Sequence, residues 1–325
     1  MAKKSKKGKT VKASKKPSHK FKIHKIDILQ LSALAFILIS TSALALGSPG
    51  RVVPEKPIQK QAKIYPDLPV LGAADNFPIL SARGALAIDL DSGVTLFERQ
   101  ADIPYLPAST TKIITALVAM DHYQMNQVIE IGNGFIEGHK MGLVAGEQIT
   151  VRSLLDGLLI YSANDAAEAF AREFPGGREE FILAMNKKAE EFHLTNTFFT
   201  NPAGLDGNKQ VTTARDLIRI AQEAMKIPLF AEIVGTEEKV VTSVDEKIIH
   251  RLENINELVG EIDGVLGVKT GWTENARENL VTYINRDGRT VMIAILGSQD
   301  RFGETRELIN WVFTNYSWEK VGPKN

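Results

Sequence analysis

Beyond residue 79 the apolar positions follow two rhythms. Extended segments come first: residues 85–90 and 95–97 flank Asp91-Ser92-Gly93, which predicts a β-hairpin. A helical period then takes over. Across residues 110–123 it sets Ile113, Ile114, Leu117, Val118 and Met120 on one face. Residues 151–161, 166–173 and 179–192 also read as helices, the last through Phe181, Leu183, Met185 and Ala189. Residues 213–225 open on Thr-x-x-Asp (Thr213, Asp216), a pattern in which a threonine hydroxyl caps the first turn. Strand character returns at residues 239–243, 265–269, 280–284 and 291–296, with Arg286-Asp287-Gly288 turning between the last two. Residues 305–313 close as a helix. This order predicts an α+β fold: an antiparallel sheet flanked by helices, completed by both ends of the domain, with a mostly helical insertion.

The upstream pattern is different. Residues 28–46 are apolar except for Gln, Ser and Thr, and at 1.5 Å per residue they approach the ~20 needed to cross a bilayer. Residues 1–27 are Lys-rich and of low complexity, which orients the run with its N-terminal side in the cytoplasm. Ala43-Leu44-Ala45 resembles a signal-peptidase site, but the charged region and apolar core exceed those of an ordinary signal peptide, so an uncleaved anchor is the favoured reading. Residues 47–78 carry Pro49, Pro54, Pro57, Pro66, Pro69 and Pro78 and read as an extended stalk. The expected layout is a basic tail (1–27), an anchor or signal segment (28–46), a stalk (47–78), a catalytic domain (79–318) and a short tail (319–325).

Charge sharpens this division. Of the 325 residues, 39 are Lys or Arg and 39 are Asp or Glu, a formal net charge of zero. Residues 1–25 hold eleven Lys and no acid, which leaves 28 basic against 39 acidic residues in the remainder. The exported part is therefore acidic, which argues against nucleic acid as a partner; beside an apolar run, the lysines suit anionic lipid. With no cysteine, thiolate catalysis and disulfides are excluded. No His pair has metal-binding spacing, so no His-built metal site is expected.

Three short motifs carry the chemistry. Ser109-Thr110-Thr111-Lys112 follows Leu106-Pro107-Ala108 at the start of an apolar helix. Ser109 and Lys112, at i and i+3, share a face, and a desolvated lysine can deprotonate the serine. Such a motif arises by chance about once in a chain this long; Ser317-Trp318-Glu319-Lys320 is such a match without context. Ser162-Ala163-Asn164 follows the apolar run 154–160. Ser162 can relay a proton from Lys112 to a leaving group, and Asn164 can hold a substrate amide; helix capping is the plainer use of both. Lys269-Thr270-Gly271 ends the strand-like run 265–268. A lysine and a hydroxyl on an edge strand suit a carboxylate, and Gly271 clears space for an extended peptide.

In this order and spacing the motifs match the set found in β-lactamases and penicillin-binding proteins. Residues from about 80 to 315 resemble the serine-type D-alanyl-D-alanine carboxypeptidases, the low-molecular-weight penicillin-binding proteins. The resemblance extends to Gly146-Glu147, Asn201-Pro202-Ala203-Gly204-Leu205-Asp206, Thr213-Ala214-Arg215-Asp216-Leu217 and Asp263-Gly264-Val265. It implies a β-lactamase/transpeptidase-like fold with no cofactor. Ser109 would be the acylated nucleophile, Lys112 its base, and Ser162 and Asn164 the second wall. Lys269, Thr270 and Arg301 would hold the terminal carboxylate of D-Ala-D-Ala, and the backbone N–H groups of Ser109 and Trp272 the oxyanion. The implied partners are the peptidoglycan stem peptide and, as covalent inhibitors, β-lactam antibiotics.

Two departures stand out. The family usually has Ala-Gly after the third motif, where this chain has Ala276-Arg277. Many members also carry a C-terminal β-domain and a membrane helix beyond the catalytic domain, so attachment through residues 28–46 is expected here. The alternatives are a D,D-endopeptidase acting on cross-links, a class A β-lactamase using Glu190 or Glu191 to activate water, and a wall-binding protein impaired by Arg277.

Overall fold

A computed structural model describes residues 66–73, 76–134, 136–207 and 209–321. The basic tail, the apolar run 28–46 and the stalk up to residue 65 lie outside the described residues. Among the described residues, no helix is long and apolar enough to cross a membrane.

The scaffold is a five-stranded antiparallel sheet in the order β3-β2-β10-β9-β8. Its strands are β2 (Gly84–Asp89), β3 (Thr95–Arg99), β8 (Val265–Thr273), β9 (Arg277–Arg286) and β10 (Arg289–Ser298). Both ends of the domain supply it, as expected from the strand order. Strand β10 reads as a continuous apolar run because both of its faces are covered. Met292, Ala294 and Leu296 point into one core and Val291, Ile293 and Ile295 into the other, the period-two alternation of an extended chain.

One face carries the helical insertion: α1 (Lys112–His122), α2 (Val151–Leu159), α3 (Asn164–Glu173), α4 (Arg178–Glu191), α5 (Ala214–Met225) and α6 (Pro228–Val234). Helix α1 is buried from Lys112 to Ala119 and runs through the middle of this layer. Helix α5 begins as its Thr-x-x-Asp pattern predicts, with the Thr213 hydroxyl accepting from Asp216 N at 3.0 Å. The other face is closed by α7 (Arg301–Asn315), which buries Leu308, Ile309 and Val312 against Leu280, Ile293 and Ile295.

Three small pairings complete the fold: β4 (Val128–Glu130) with β5 (Gln148–Thr150), β6 (Glu238–Thr242), expected from its strand character, with the unexpected β7 (Ile249–Glu253), and β1 (Leu68–Leu71) with β11 (Tyr316–Glu319). The last corrects the expected stalk and domain start. Leu68–Leu71 pairs with Tyr316–Glu319, Trp311 Nε1 donates to Asn76 O at 2.7 Å, and Arg289 contacts Asp67 at 2.8 Å. The folded unit therefore includes residues assigned to the stalk. The chance motif at Ser317 lies largely in β11.

Candidate active site

Ser109 does not cap a helix. It lies in a tight 3-10 turn, Ala108–Thr111, that leads into α1 with no side-chain cap. Ala108 enters that turn with φ +48°, a left-handed conformation costly for a residue with a Cβ. Two glycines make room for it. A Cβ on Gly204, itself at φ +87°, would stand 1.9 Å from Ala108 O, and one on Gly271 would stand 3.0 Å from Ser109 N. The loop after Asn201 and strand β8 thus press directly on the serine's backbone. Asn201 shapes the loop by accepting from Gly204 N and Leu205 N at 2.7 and 3.0 Å.

Lys112 is completely buried, not a surface lysine. Its Nζ donates to Ser109 Oγ at 2.9 Å, to Asn164 Oδ1 at 2.7 Å and to Ala203 O at 2.7 Å. Burial lowers its pKa to about 7, against the opposing pull of Asp165. The amine is thereby poised to exchange a proton near neutrality while three oxygens fix its direction.

The second motif forms the turn between α2 and α3. Asn164 is the first residue of α3, and its amide is a bridge: Oδ1 takes the lysine's hydrogen bond while Nδ2 donates to Glu137 O at 2.8 Å. Ser162 is buried at φ +59°, and among the described residues its Oγ has no hydrogen-bond partner. A strained residue with an unused buried hydroxyl is the kind of feature that folding alone does not favour.

The third motif lies inside β8 rather than beyond its end, because the strand runs on to Thr273. β8 is the sheet's outer strand, so one backbone edge is unpaired. Lys269 and Thr270 are both buried, and Lys269 Nζ donates to Thr270 O at 3.2 Å. Burial, followed by the charges of Lys112 and Arg301, holds the Lys269 pKa well below its usual value. Arg301 is the first residue of α7, not a residue ahead of it. Its Nη1 donates to Gly271 O at 3.2 Å, its backbone N–H to Glu278 Oε2 at 2.8 Å, and its Nε has no hydrogen-bond partner among the described residues. Arg306, in contrast, makes an exposed ion pair with Glu261.

A cleft of about 490 Å³ opens over Ser109, between Gly138, Asn164, Gly204 and Trp272. Glu190 and Glu191 are exposed at the far end of α4 and do not line it. Arg277 takes φ +63°, so the arginine occupies the left-handed position that a glycine fills without strain.

Sequence reasoning missed several contributors. Asp165 follows Asn164 and accepts from Met141, Gly142 and Leu143 N at 2.9–3.1 Å, tying down the loop that forms one jaw of the cleft. His250, buried, bridges Met141 O at 3.1 Å and Glu147 Oε1 at 2.7 Å beneath the same loop. His139 lines the cleft with its ring 4.2 Å from Tyr161; burial, then Lys112 and Lys269, holds its pKa below the usual value. On the opposite jaw Asp206 accepts from Thr273 Oγ1 and Asn275 Nδ2 at 2.6 and 2.9 Å. Glu147 and Asp206 sit in stretches that carried the resemblance. Asp165 and His139 gave no signal, because the loop they meet is remote in sequence.

A family profile described as D-alanyl-D-alanine carboxypeptidase matches residues 72–300. A D-alanyl-D-alanine carboxypeptidase of Mycobacterium tuberculosis is 34% identical over 247 residues, covering 73% of this chain and 84% of the relative. A D-alanyl-D-alanine endopeptidase of Pseudomonas aeruginosa is 32% identical over 243 residues, covering 72% of this chain and 78% of that protein. The crystal structure of a D-alanyl-D-alanine carboxypeptidase from Mycobacterium tuberculosis superposes with a TM-score of 0.70 at 33% identity, over 78% of this chain and 98% of that one.

Proposed function

The chain belongs to the D-alanyl-D-alanine carboxypeptidase family, and from that premise we propose that Ser109, Lys112 and Ser162 carry its chemistry. It is a serine-type peptidase that releases the terminal D-alanine of peptidoglycan stem peptides. The observation that carries the residue assignment is the buried Lys112 amine 2.9 Å from Ser109 Oγ, with its pKa near 7.

Neutral Lys112 takes the proton as Ser109 Oγ attacks the carbonyl between the two D-alanines. The backbone N–H groups of Ser109 and Trp272 stabilise the tetrahedral oxyanion. Ser162, with its unused hydroxyl, passes the proton to the departing amine. Water then cleaves the acyl-enzyme. Asn164 holds the amide of the acyl part. The substrate's terminal carboxylate binds at Lys269, Thr270 and Arg301, and its charge favours protonated Lys269, whose proton burial and the two other cations otherwise weaken. Gly271 makes room for the Ser109 turn rather than for the peptide, whose backbone lies along the outer edge of β8. β-Lactams would acylate the same serine.

The domain layout is also our reading. Residues 28–46 hold the protein in the cytoplasmic membrane, with the folded unit outside; the lysine-rich flank and the apolar length support it. Carbonate extraction of membranes and N-terminal sequencing of the extracted protein test it.

The assignment is tested by incubating purified wild type and Ser109→Ala with a peptide ending in D-Ala-D-Ala. D-Alanine release and a fluorescent penicillin adduct in the wild type alone are expected; equal release from both overturns the mechanism. Cleavage of cross-linked dimers by the same preparation measures the endopeptidase activity named for the Pseudomonas relative.

A further inference from the structure

Asn279, in strand β9, is a fully buried amide with both of its side-chain N–H groups engaged. Nδ2 donates to Leu106 O and to Pro107 O, each at 2.9 Å, while Oδ1 accepts from Gly297 N at 2.8 Å. The last contact follows from an irregularity in β10. Between the pairs Leu280–Ile295 and Glu278–Ser298, Asn279 faces two residues, Leu296 and Gly297. Asparagine is poorly suited to a strand interior, and burying its amide is costly without partners. An apolar residue would serve the sheet here. The amide serves the two carbonyls that immediately precede the Ser109 turn. Pro107 O also accepts from Thr110 Oγ1 at 2.6 Å. In the β8–β9 ladder Asn279 stands opposite Gly271. A Cβ on Gly271 would lie 3.1 Å from Pro107 O and 3.0 Å from Ser109 N. The backbone of Asn279 therefore holds the strand that leads to Trp272, and its side chain holds the segment that leads to Ser109.

We propose that Asn279 is a positioning residue for the oxyanion hole: it sets the separation between the backbone N–H groups of Ser109 and Trp272. The inference rests on the catalytic reading above, in which those two groups hold the oxyanion. Trp272 immediately follows Gly271, and only Ala108 separates Pro107 from Ser109, so one rigid amide ties both donors through short stretches of backbone. Its bond to Gly297 fixes the amide plane against β10. Neither donor lies on an element that sets the distance by itself: β8 is the sheet's outer strand, and the Ser109 turn has no side-chain cap. Donors aimed at a developing charge lose much of their effect when displaced by about an ångström. Asn279 does not line the cleft and makes no hydrogen bond to Lys112. Its contribution belongs to every step that forms a tetrahedral oxyanion, acylation and deacylation alike, and not to substrate capture or proton transfer.

The test compares three quantities: acylation by penicillin, hydrolysis of the penicilloyl-enzyme, and affinity for a boronic acid analogue of the acyl-D-alanyl group. The boronate's tetrahedral adduct on Ser109 places an oxygen between the two N–H groups. Asn279→Ala should lower all three by a similar factor, roughly ten- to a hundredfold, less than the loss of a whole oxyanion donor. Binding of a D-Ala-D-Ala peptide to Ser109→Ala should be the same with and without Asn279→Ala, because the planar carbonyl gains little from the hole. The pH midpoint of acylation should stay at its wild-type value. Thr110→Val, which removes the hydroxyl bond to the same Pro107 carbonyl, should show the same pattern at about threefold, and it carries the test if Asn279→Ala does not fold. Ile309→Ala, a stability control on the far face of the sheet, should change none of the three. Slower acylation with unchanged boronate affinity, or peptide binding that weakens as much as the rates, overturns the positioning role. So does a loss of stability with all three quantities intact. A wild type that forms no penicillin adduct overturns instead the catalytic reading on which the inference rests.

Discussion

The two faces of the central sheet are built to opposite specifications. Beneath α7, Leu280, Ile284, Ile293, Ile295, Leu308, Ile309 and Val312 form a fully buried apolar layer. At the Ser109 seam the protein instead buries two lysines, leaves Ser162 Oγ and Arg301 Nε without partners among the described residues, and holds Ala108 and Ser162 at positive φ; Arg277, at the start of β9, is also at positive φ. Each of these features costs folding energy, on the order of 1–3 kcal/mol for a strained residue or an unsatisfied buried polar group. The apolar layer offsets them. A serine and a lysine can be held in a reactive, desolvated state because the strands that carry the site are also locked from behind.

Four experiments sharpen or break that contrast. The largest effect belongs to the seam. Ser109→Ala should reduce D-alanine release by roughly a thousandfold or more while leaving the melting temperature near that of wild type. A large loss of stability in this variant would show the two faces are not separable.

The converse change is on the other face. Ile309→Ala should cost about 2–5 kcal/mol in denaturant unfolding, with the acylation rate of the remaining folded protein unchanged. A matching fall in acylation at permissive temperature would show that the α7 layer positions the site rather than merely supporting it.

A smaller effect reports the lysine. In the proposed mechanism neutral Lys112 is the active form; with burial bringing its pKa to about 7, acylation by penicillin should rise with pH through that value and then level off. One unit below the midpoint it should run about tenfold slower. A profile flat from pH 5 to 9 would remove Lys112 from the role of base.

The smallest effect concerns the departure from the family pattern. Arg277→Gly relieves a left-handed arginine and should raise stability by about 1 kcal/mol or less, since glycine also gains freedom in the unfolded chain. Unchanged D-alanine release would show that Arg277 is a tolerated strain; a large gain in turnover would show that it restrains the site.

Much of the fold was legible because its signals are local. The helical period of α1, the Thr213 cap of α5 and the turn between β9 and β10 each depend on residues within a few positions of one another. The pairing of β1 with β11 was hidden: each is four residues long, β1 contains Pro69, and the alternation of Tyr316 and Trp318 with Ser317 and Glu319 is too short to stand out. The length of β8 was hidden for another reason. Lys269-Thr270-Gly271 looks like the end of a strand, and only pairing with β9 as far as Arg277 shows that it is not. At the site, the three motifs were visible as residue types in order. His139 and Asp165 were not, because what distinguishes them is the cleft or loop they face.

The sequence by itself determined which chemical groups are present, their order, and the helices and turns set by neighbouring residues. It thereby supplied a serine, two lysines and an arginine suited to acyl transfer on a carboxylate-ended peptide. Only the tertiary structure decided that Lys112 meets Ser109, Asn164 and Ala203 at once. The physical reason is one of range. Backbone periodicity and capping act across a few residues, whereas the proton affinity of a buried amine and the shape of a cleft depend on groups brought together from distant parts of the chain.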